Sequence, residues 1–557
     1  MKQAVIRLGQ QANISLAPTT IERLVGMQQI VVPDLTIHSS TLPLRHGDNL
    51  LLVLGTPLPA IATMPANWQD AIQQLPQREG VFAALFWDAQ AKKLVICTDV
   101  LGLQPLYWQH CSGEVLLSDK TTAFLGSPDL AGWGAFLALG YPLGADTLTH
   151  GVKRLAPASV YVLERDGAVS QQHSYWQFDN AAAAASVGEV AAALEQSVDL
   201  ALAAAPDAEH GILLSGGYDS RLIAFLLRKR KLQLQATIVS HYDENLDADA
   251  RFAKAIARHL QIPFRIQLPE QNFFSSPTYL DYLECSDGEI PSLYLFISQV
   301  GQFIDAPVVW EGLLPGKTLK ASEANFAAFW TANVKDFNHP QWRAAELVFG
   351  TEQAAAMWQA FTQRWQHEQA TFPDTGEGTA RFNLAHRARN RVGPNPFKVY
   401  QQKATVLMPG MSRDYLQAAM SVPHSSKQQH QFYQQLFACH YPDALRFPVA
   451  HGSVVSRLQS RSLVDYGFLA TLACFNRLSR YPRWMKRLGL QPAVGFAKSG
   501  FLESCQLVGQ ADANLNPALL NAIAKGSELP ESALRLLFYW RCWQALRQKP
   551  LGALWQS

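Results

Sequence analysis

Charge is scarce in this sequence: Asp, Glu, Lys and Arg make up 17% of its 557 residues, and the formal net charge is +2. So even a balance supplies no field for gripping a polyanion, and nucleic acid is not expected as a partner. Cysteine is sparse and unpatterned. Its seven copies, at positions 97, 111, 285, 439, 474, 505 and 542, are odd in number and contain no Cys-x-x-Cys pair. No His and Cys cluster shows metal-site spacing, so reduced core thiols are expected. No apolar run reaches the roughly 18 residues of a membrane span, and the opening Met-Lys-Gln-Ala-Val-Ile-Arg lacks the apolar stretch of a secretory signal. A cytoplasmic protein without integral membrane association is the expectation. Hydrophobic residues are plentiful at 48%, enough for full cores in two or more domains.

Residues 211 to 220 read Gly-Ile-Leu-Leu-Ser-Gly-Gly-Tyr-Asp-Ser, an apolar run that ends in a small turn with one acid and two hydroxyls. Ile212, Leu213 and Leu214 suit a buried parallel strand, and Arg221 to Leu227 resume a helical pattern. Ser215 to Ser220 are therefore expected to join strand end to helix start. Such a junction suits a phosphate. Gly216 and Gly217 allow close backbone approach, amides at the helix start face the anion, and Ser215 and Ser220 add hydroxyl donors. Asp219 would repel a bare phosphate, which implies a divalent cation between the two, Mg²⁺ being the natural choice. The Lys that a Walker A loop needs after its last Gly is absent. Leu234 to Ser240 reads as a second strand, and Phe252, Ile256 and Leu260 fall on one face of a following helix.

Set between that strand and helix, Ser215-Gly216-Gly217-Tyr218-Asp219-Ser220 resembles the SGGxDS loop of the PP-loop ATP pyrophosphatases, which adenylate a substrate and release pyrophosphate. The resemblance implies ATP and Mg²⁺ as cofactors. It makes Leu214, Ser215, Gly216, Gly217, Asp219 and Ser220 nucleotide contacts, puts Val239 and Ser240 at the strand end that meets adenine, and makes Asp219 a metal ligand. Upstream the texture is different. Short strand candidates at Leu50 to Leu54, Val81 to Trp87, Leu94 to Thr98, Val115 to Leu117 and Val160 to Leu163 alternate with turns. Gly80 to Asp88, Leu94 to Trp108, Leu117 to Lys120 and Thr147 to Pro157 resemble, in order, segments of the glutaminase domain of asparagine synthetases. The implied fold is α/β: an N-terminal Ntn-hydrolase-like α+β sandwich over 1–178, then a PP-loop, adenine nucleotide α-hydrolase-like synthetase domain over 179–557. An Ala-rich linker and a helix ending near Ala205 follow the boundary, and past Gln267 the pattern is mostly helical.

Several residues depart from the family pattern. Lys2 stands where related amidotransferases carry the nucleophilic Cys, and Cys97 lies inside a strand candidate, so glutamine hydrolysis is not expected. In this the chain resembles β-lactam synthetase, carbapenam synthetase and lasso peptide cyclases, whose amine already belongs to the substrate. In the stretch Val308 to Leu319 the family glycine is kept as Gly312, but Gly316 falls at a metal-binding Asp, with Glu311 or Asp287 as conceivable substitutes. Lys317 is a candidate to neutralise pyrophosphate directly. Thr405 replaces the Glu that cyclising members use with a Tyr and a later Lys, and near that Lys position there is only Arg446. Val422, Pro423 and Lys427 keep the family order. Arg387, Arg389, Arg391 and Lys398 form a solvated face or grip an acidic or phosphorylated acceptor, and Arg228 to Lys231 close a helix. Arg477, Arg480, Arg483, Lys486 and Arg487, with Tyr481 and Trp484, form a surface helix or a leader-peptide or membrane-surface face.

The resulting expectation is an enzyme that adenylates a carboxylate with ATP and lets an amine displace AMP. Ser215, Asp219, Ser220 and Lys317 carry the chemistry, and a peptide or specialised metabolite is the substrate, lasso-type macrolactam formation being one form. A leader-peptide-binding or protease partner would accompany a peptide substrate. Ammonia-dependent amidation of a sugar or peptide carboxylate, or a non-catalytic ATP-binding scaffold, are the alternatives.

Overall fold

The computed structural model describes residues 3–9, 27–111, 114–179, 181–240, 248–268, 282–286, 304–449, 467, 470, 514–525 and 529–548. The first part of the chain builds two six-stranded antiparallel sheets. One runs Lys153–Arg154, Tyr107–Cys111, Glu114–Ser118, Ala4–Leu8, Leu35–Ser39, Gln28–Val32 across its width. The other runs Val169–Ser174, Ser159–Glu164, Lys93–Thr98, Glu79–Asp88, Asn49–Leu58, Leu44–His46. Period-two alternation sends Ile6, Leu8, Ile37 and Leu117 of one sheet into a shared core with Leu52, Leu85, Ile96 and Leu163 of the other. The outer face of the second sheet carries Leu51, Phe82, Phe86, Val95 and Cys97, covered by Ala71 of the helix Trp68–Gln74. All five strand candidates lie within these longer strands. Val169–Ser174 escapes a sequence reading because five of its six residues are polar and all six are exposed.

A five-stranded parallel sheet follows, ordered Phe264–Gln267, Leu234–Val239, His210–Leu213, Val308–Trp310, Thr405–Leu407. Its centre is in register through Ile212 opposite both Ala236 and Trp310, and Trp310 opposite Leu407. Helices cover both faces, as an all-parallel sheet requires. Val190, Leu194, Leu222, Ile256 and Phe437 form one core with Ile212 and Trp310, while Leu314, Leu384 and Leu416 form another with Val239 and Val406. Past Gln267 the described chain is mostly helical, as expected, and two three-residue strands, too short to show a period, complete the sheet.

A further core is aromatic. Trp133 and Phe136 of the helix Leu130–Leu139 join Trp342, Phe361, Trp365 and Trp540 from helices Pro340–Phe349, Thr351–Gln369 and Glu531–Gln548. The backbones close tightly here, since a Cβ on Gly134 would lie 2.1 Å from the carbonyl oxygen of Met357. No helix among the described residues is long and apolar enough to cross a membrane.

Candidate functional site

The strands His210–Leu213 and Leu234–Val239 end side by side, tied by the Leu214 amide donating to the Thr237 carbonyl at 3.1 Å. Ser215, Gly216 and Gly217 form the turn, and Gly217 caps the helix Tyr218–Lys229. The helix thus begins three residues earlier than its apolar pattern suggests, and Asp219 and Ser220 lie in its first turn rather than in the connecting loop. An acid there is favoured by the positive end of the helix dipole. The basic run ends this helix as expected, with Arg228 and Lys229 in the last turn and Lys229 paired to Glu195 at 2.8 Å.

The turn is wired internally. The Ser215 amide donates to Ser220 Oγ at 2.9 Å, the two serine hydroxyls meet at 2.9 Å, and the Gly217 amide donates to Ser215 Oγ at 3.2 Å. The Gly216 amide donates to Asp249 Oδ1 at 2.8 Å. Asp249 received no role from the sequence, although an acid at the start of the next helix was visible there. Arg221, fully buried, threads beneath the turn: Nη2 donates to the carbonyls of Gly216 (2.8 Å) and Pro448 (2.6 Å), and Nη1 to those of Ala444 and Phe447 at 3.0 Å. Burial pulls its guanidinium down to about 10, still fully charged near neutrality. Val239 and Ser240 sit buried at the neighbouring strand end, the Ser240 amide donating to the Gln267 carbonyl at 2.9 Å.

Above the turn stands Asp219. Its Oδ2 accepts from Lys320 Nζ at 2.7 Å and its Oδ1 from the Tyr433 hydroxyl at 2.8 Å. Neither partner was read from the sequence. Lys320 carries no motif, and Tyr433 comes from a helix, Gln431–His440, more than 200 residues away. The stretch after Val308–Trp310 presses against this acid: a Cβ on Gly312 would lie 3.0 Å from the Asp219 backbone, and one on Gly316 2.3 Å from Oδ2. Lys317, in the helix Leu313–Thr318, has its ammonium pulled down to about 8 by burial, helped by Arg387, Lys320 and Arg391. Glu311 is pushed up to about 7 by burial and by the negative charge of Asp219.

These residues test the expected Mg²⁺. The ion takes a near-octahedral set of oxygens, usually one or two carboxylates completed by water and substrate phosphates. Both Asp219 oxygens already accept from protein donors, the position of the second acid is Gly316, and the adjacent position is a lysine. Among the described residues no group of three or more His, Cys, Asp or Glu side chains could hold a metal. The donor set does not fit a dedicated cation site.

Other candidates lie elsewhere. Arg389 is buried and donates to the carbonyls of Gly144 and Leu155, and Lys398 donates to the Asp119 carbonyl, so both serve the fold. Lys427 donates to the Ala419 carbonyl at 2.7 Å, and Arg446 pairs with Asp443 at 2.8 Å. Thr405 opens the last parallel strand. Cys97 is buried under the second sheet, where burial pushes its thiol well above the ordinary range. Lys2, Asp287 and the Arg477 to Arg487 face lie outside the described residues.

Residues 64–176 match a glutamine amidotransferase domain, and residues 189–302 match an asparagine synthase domain. A protein of Penicillium rubens named amidase chyE is 24% identical over 348 residues, covering 57% of this chain and 51% of its own. The chain thus spans about half the length of that curated relative. Among solved structures, the Bacillus subtilis glutamine phosphoribosylpyrophosphate amidotransferase complexed with ADP and GMP aligns at 9% identity over 47% of this chain and 90% of its own, with a TM-score of 0.20. A structure described as the allosteric regulatory enzyme of purine biosynthesis aligns at 10% identity over 48% and 74%, again at 0.20. An amidotransferase-type domain followed by an asparagine synthase domain is the arrangement of the asparagine synthetase-like family, and this chain has it.

Proposed function

We propose that the protein forms amide bonds by adenylating a carboxylate. The observation that carries this reading is the Ser215 to Ser220 turn, set at the ends of two adjacent parallel strands, with the Lys320 ammonium on its Asp219 and Lys317 electrostatically coupled to the same acid. The asparagine synthase match supports ATP-dependent amidation in general, and the family acts on carboxylate substrates. A carboxylate is a poor electrophile because its leaving group would be oxide. Attack of a carboxylate oxygen on the α-phosphorus of ATP breaks the bond to the β-phosphate, and pyrophosphate leaves with the electron pair. An amine then adds to the acyl carbon, AMP departs, and the amine gives up one proton. Fixed cations aimed at the departing pyrophosphate stabilise the charge that develops there. Glu311, poised at about 7 beside the site, is the candidate acceptor for the proton.

The N-terminal unit, with its boundary near residue 178, acts in this reading as scaffold. Cys97, buried with its thiol held protonated, is no nucleophile for glutamine. The amine then comes from the substrate itself or from free ammonia. If both groups belong to one peptide or specialised metabolite, as in lasso-type macrolactam formation, holding them together contributes roughly 7 to 11 kcal/mol toward the barrier. The test is calorimetric titration of ATP, followed by exchange of labelled pyrophosphate into ATP across a panel of peptide, sugar and small-molecule carboxylates. Binding, with exchange that depends on one carboxylate class, supports the proposal and names the substrate. Absence of ATP binding overturns it in favour of a scaffold.

A further inference from the structure

Asp219 is the residue that a metal-dependent site would leave open toward its cation, and here both of its carboxylate oxygens are engaged. Its two oxygens accept from Lys320 and Tyr433 at 2.7 and 2.8 Å. Lys320 is held from a second side as well, its ammonium 5.8 Å from the centre of the Tyr433 ring, a cation–π distance. Tyr433 in turn is fully buried and stacks on Tyr218 of the turn helix at 5.4 Å and 17°. The lysine is therefore fixed in place. One of its three N–H bonds goes to Asp219, which leaves two donors for an anion.

Around it the charge is lopsided. Arg387, Lys320 and Arg391 all press electrostatically on the Lys317 ammonium, and Asp219 is the acid that offsets them there. Lys317 has no hydrogen bond or ion pair among the described residues. Gly316 adds the steric half of the argument. No side chain there can hold a cation against Asp219, because even a Cβ would overlap the carboxylate at 2.3 Å.

We infer that the pyrophosphate end of the nucleotide is held by built-in ammonium groups, Lys320 and Lys317, with Asp219 as the anchor that positions Lys320 rather than as the ligand of a divalent cation. Inorganic pyrophosphate then binds without a metal. The inference rests on the reading that this site takes ATP, and it changes what supplies the positive charge.

The experiment titrates the full-length protein with inorganic pyrophosphate, and separately with ATP, once in EDTA and once in excess Mg²⁺. Wild type should bind pyrophosphate in EDTA within about threefold of its affinity in Mg²⁺. In EDTA, Lys320→Met should lose at least about tenfold, the loss expected for a charge-assisted hydrogen bond, while Lys320→Arg keeps part of the affinity. Asp219→Asn should behave like Lys320→Met, because the lysine loses its anchor. The wild-type comparison needs no variant to fold. Pyrophosphate and ATP binding that vanishes in EDTA and returns with Mg²⁺ overturns the inference and leaves the adenylation proposal standing. Binding of neither ligand under either condition overturns both.

Discussion

A methyl group placed on Gly316 would sit 2.3 Å from Asp219 Oδ2, with the carboxylate pinned by Lys320 on one side and Tyr433 on the other. Something must move, and the weakest member is the solvent-touched ion pair. Gly316→Ala should therefore separate Asp219 from Lys320 and weaken ATP binding about tenfold, a loss on the scale of one charge-assisted hydrogen bond. Calorimetry checks it; unchanged affinity would show that the pair is not needed for the nucleotide. Glu311 supports a stability prediction. Its folded-state carboxyl at about 7 lies above the ordinary 4.5. Between those values the native state keeps a proton that the unfolded chain has lost, so stability falls as pH rises through this window, and the penalty is complete above it. Glu311→Gln removes the penalty. It should stabilise the protein by about 1 to 3 kcal/mol at pH 8 and hardly at all near pH 4. Denaturant midpoints at the two pH values decide, and an equal gain at both would assign the effect to packing.

At the scale of elements, the turn after His210–Leu213 keeps its shape through the helix behind it. Arg221 ties the Gly216 carbonyl to the carbonyls of Ala444, Phe447 and Pro448, so one side chain joins the turn to a segment 223 to 227 residues downstream. Arg221→Met would leave three buried acceptors and one half-buried one short of a donor, at about 1 to 3 kcal/mol for each that finds no water. We expect a loss of at least about 3 kcal/mol by chemical denaturation, with ATP affinity falling in parallel. Arg221→Lys should recover only part, because one ammonium cannot span the same fork. A Met variant as stable as wild type would remove the tether role.

Across the whole molecule, the amidotransferase-type and synthase parts are locked by a pair of buried arginines. Arg154 donates to the Arg389 and Gly102 carbonyls at 2.5 and 2.6 Å, and Arg389 donates back to the carbonyls of Gly144 and Leu155. The aromatic core adds a second lock, because Trp133 of the first part lies 4.9 Å from Trp540 near the other end of the chain. Arg154→Met should weaken the first lock and split one calorimetric transition into two, since the parts would no longer melt together. A single unbroken transition would show that the aromatic core suffices. The same assembly predicts silence toward glutamine. Incubation should release no glutamate above buffer, and release that is lost on Cys97→Ala would reverse the scaffold reading.

The sequence by itself determined the local pieces: the five strand runs of the first part, the apolar strand entering Ser215, the glycines of the turn and the basic close of its helix. Each is written in neighbours a few residues apart, where periodicity and backbone freedom act directly. The Ser215 to Ser220 turn was legible in the same way as a strand-to-helix junction, whereas Gly312 and Lys317 stood out only through the family resemblance. What only the tertiary structure decided is who meets Asp219. Lys320 is a lone lysine without a motif, Tyr433 is one tyrosine among sixteen, and Asp249 is one of several acids around the start of a helix. Likewise Arg389 and Lys398 read in the sequence as a solvated face or as grips for an acceptor, yet both are buried and donate to backbone carbonyls of the first part. A charge has no intrinsic role in a linear sequence. Its role comes from the partner that long-range packing sets within a few ångströms, where the Coulomb term and the hydrogen bond are both strong.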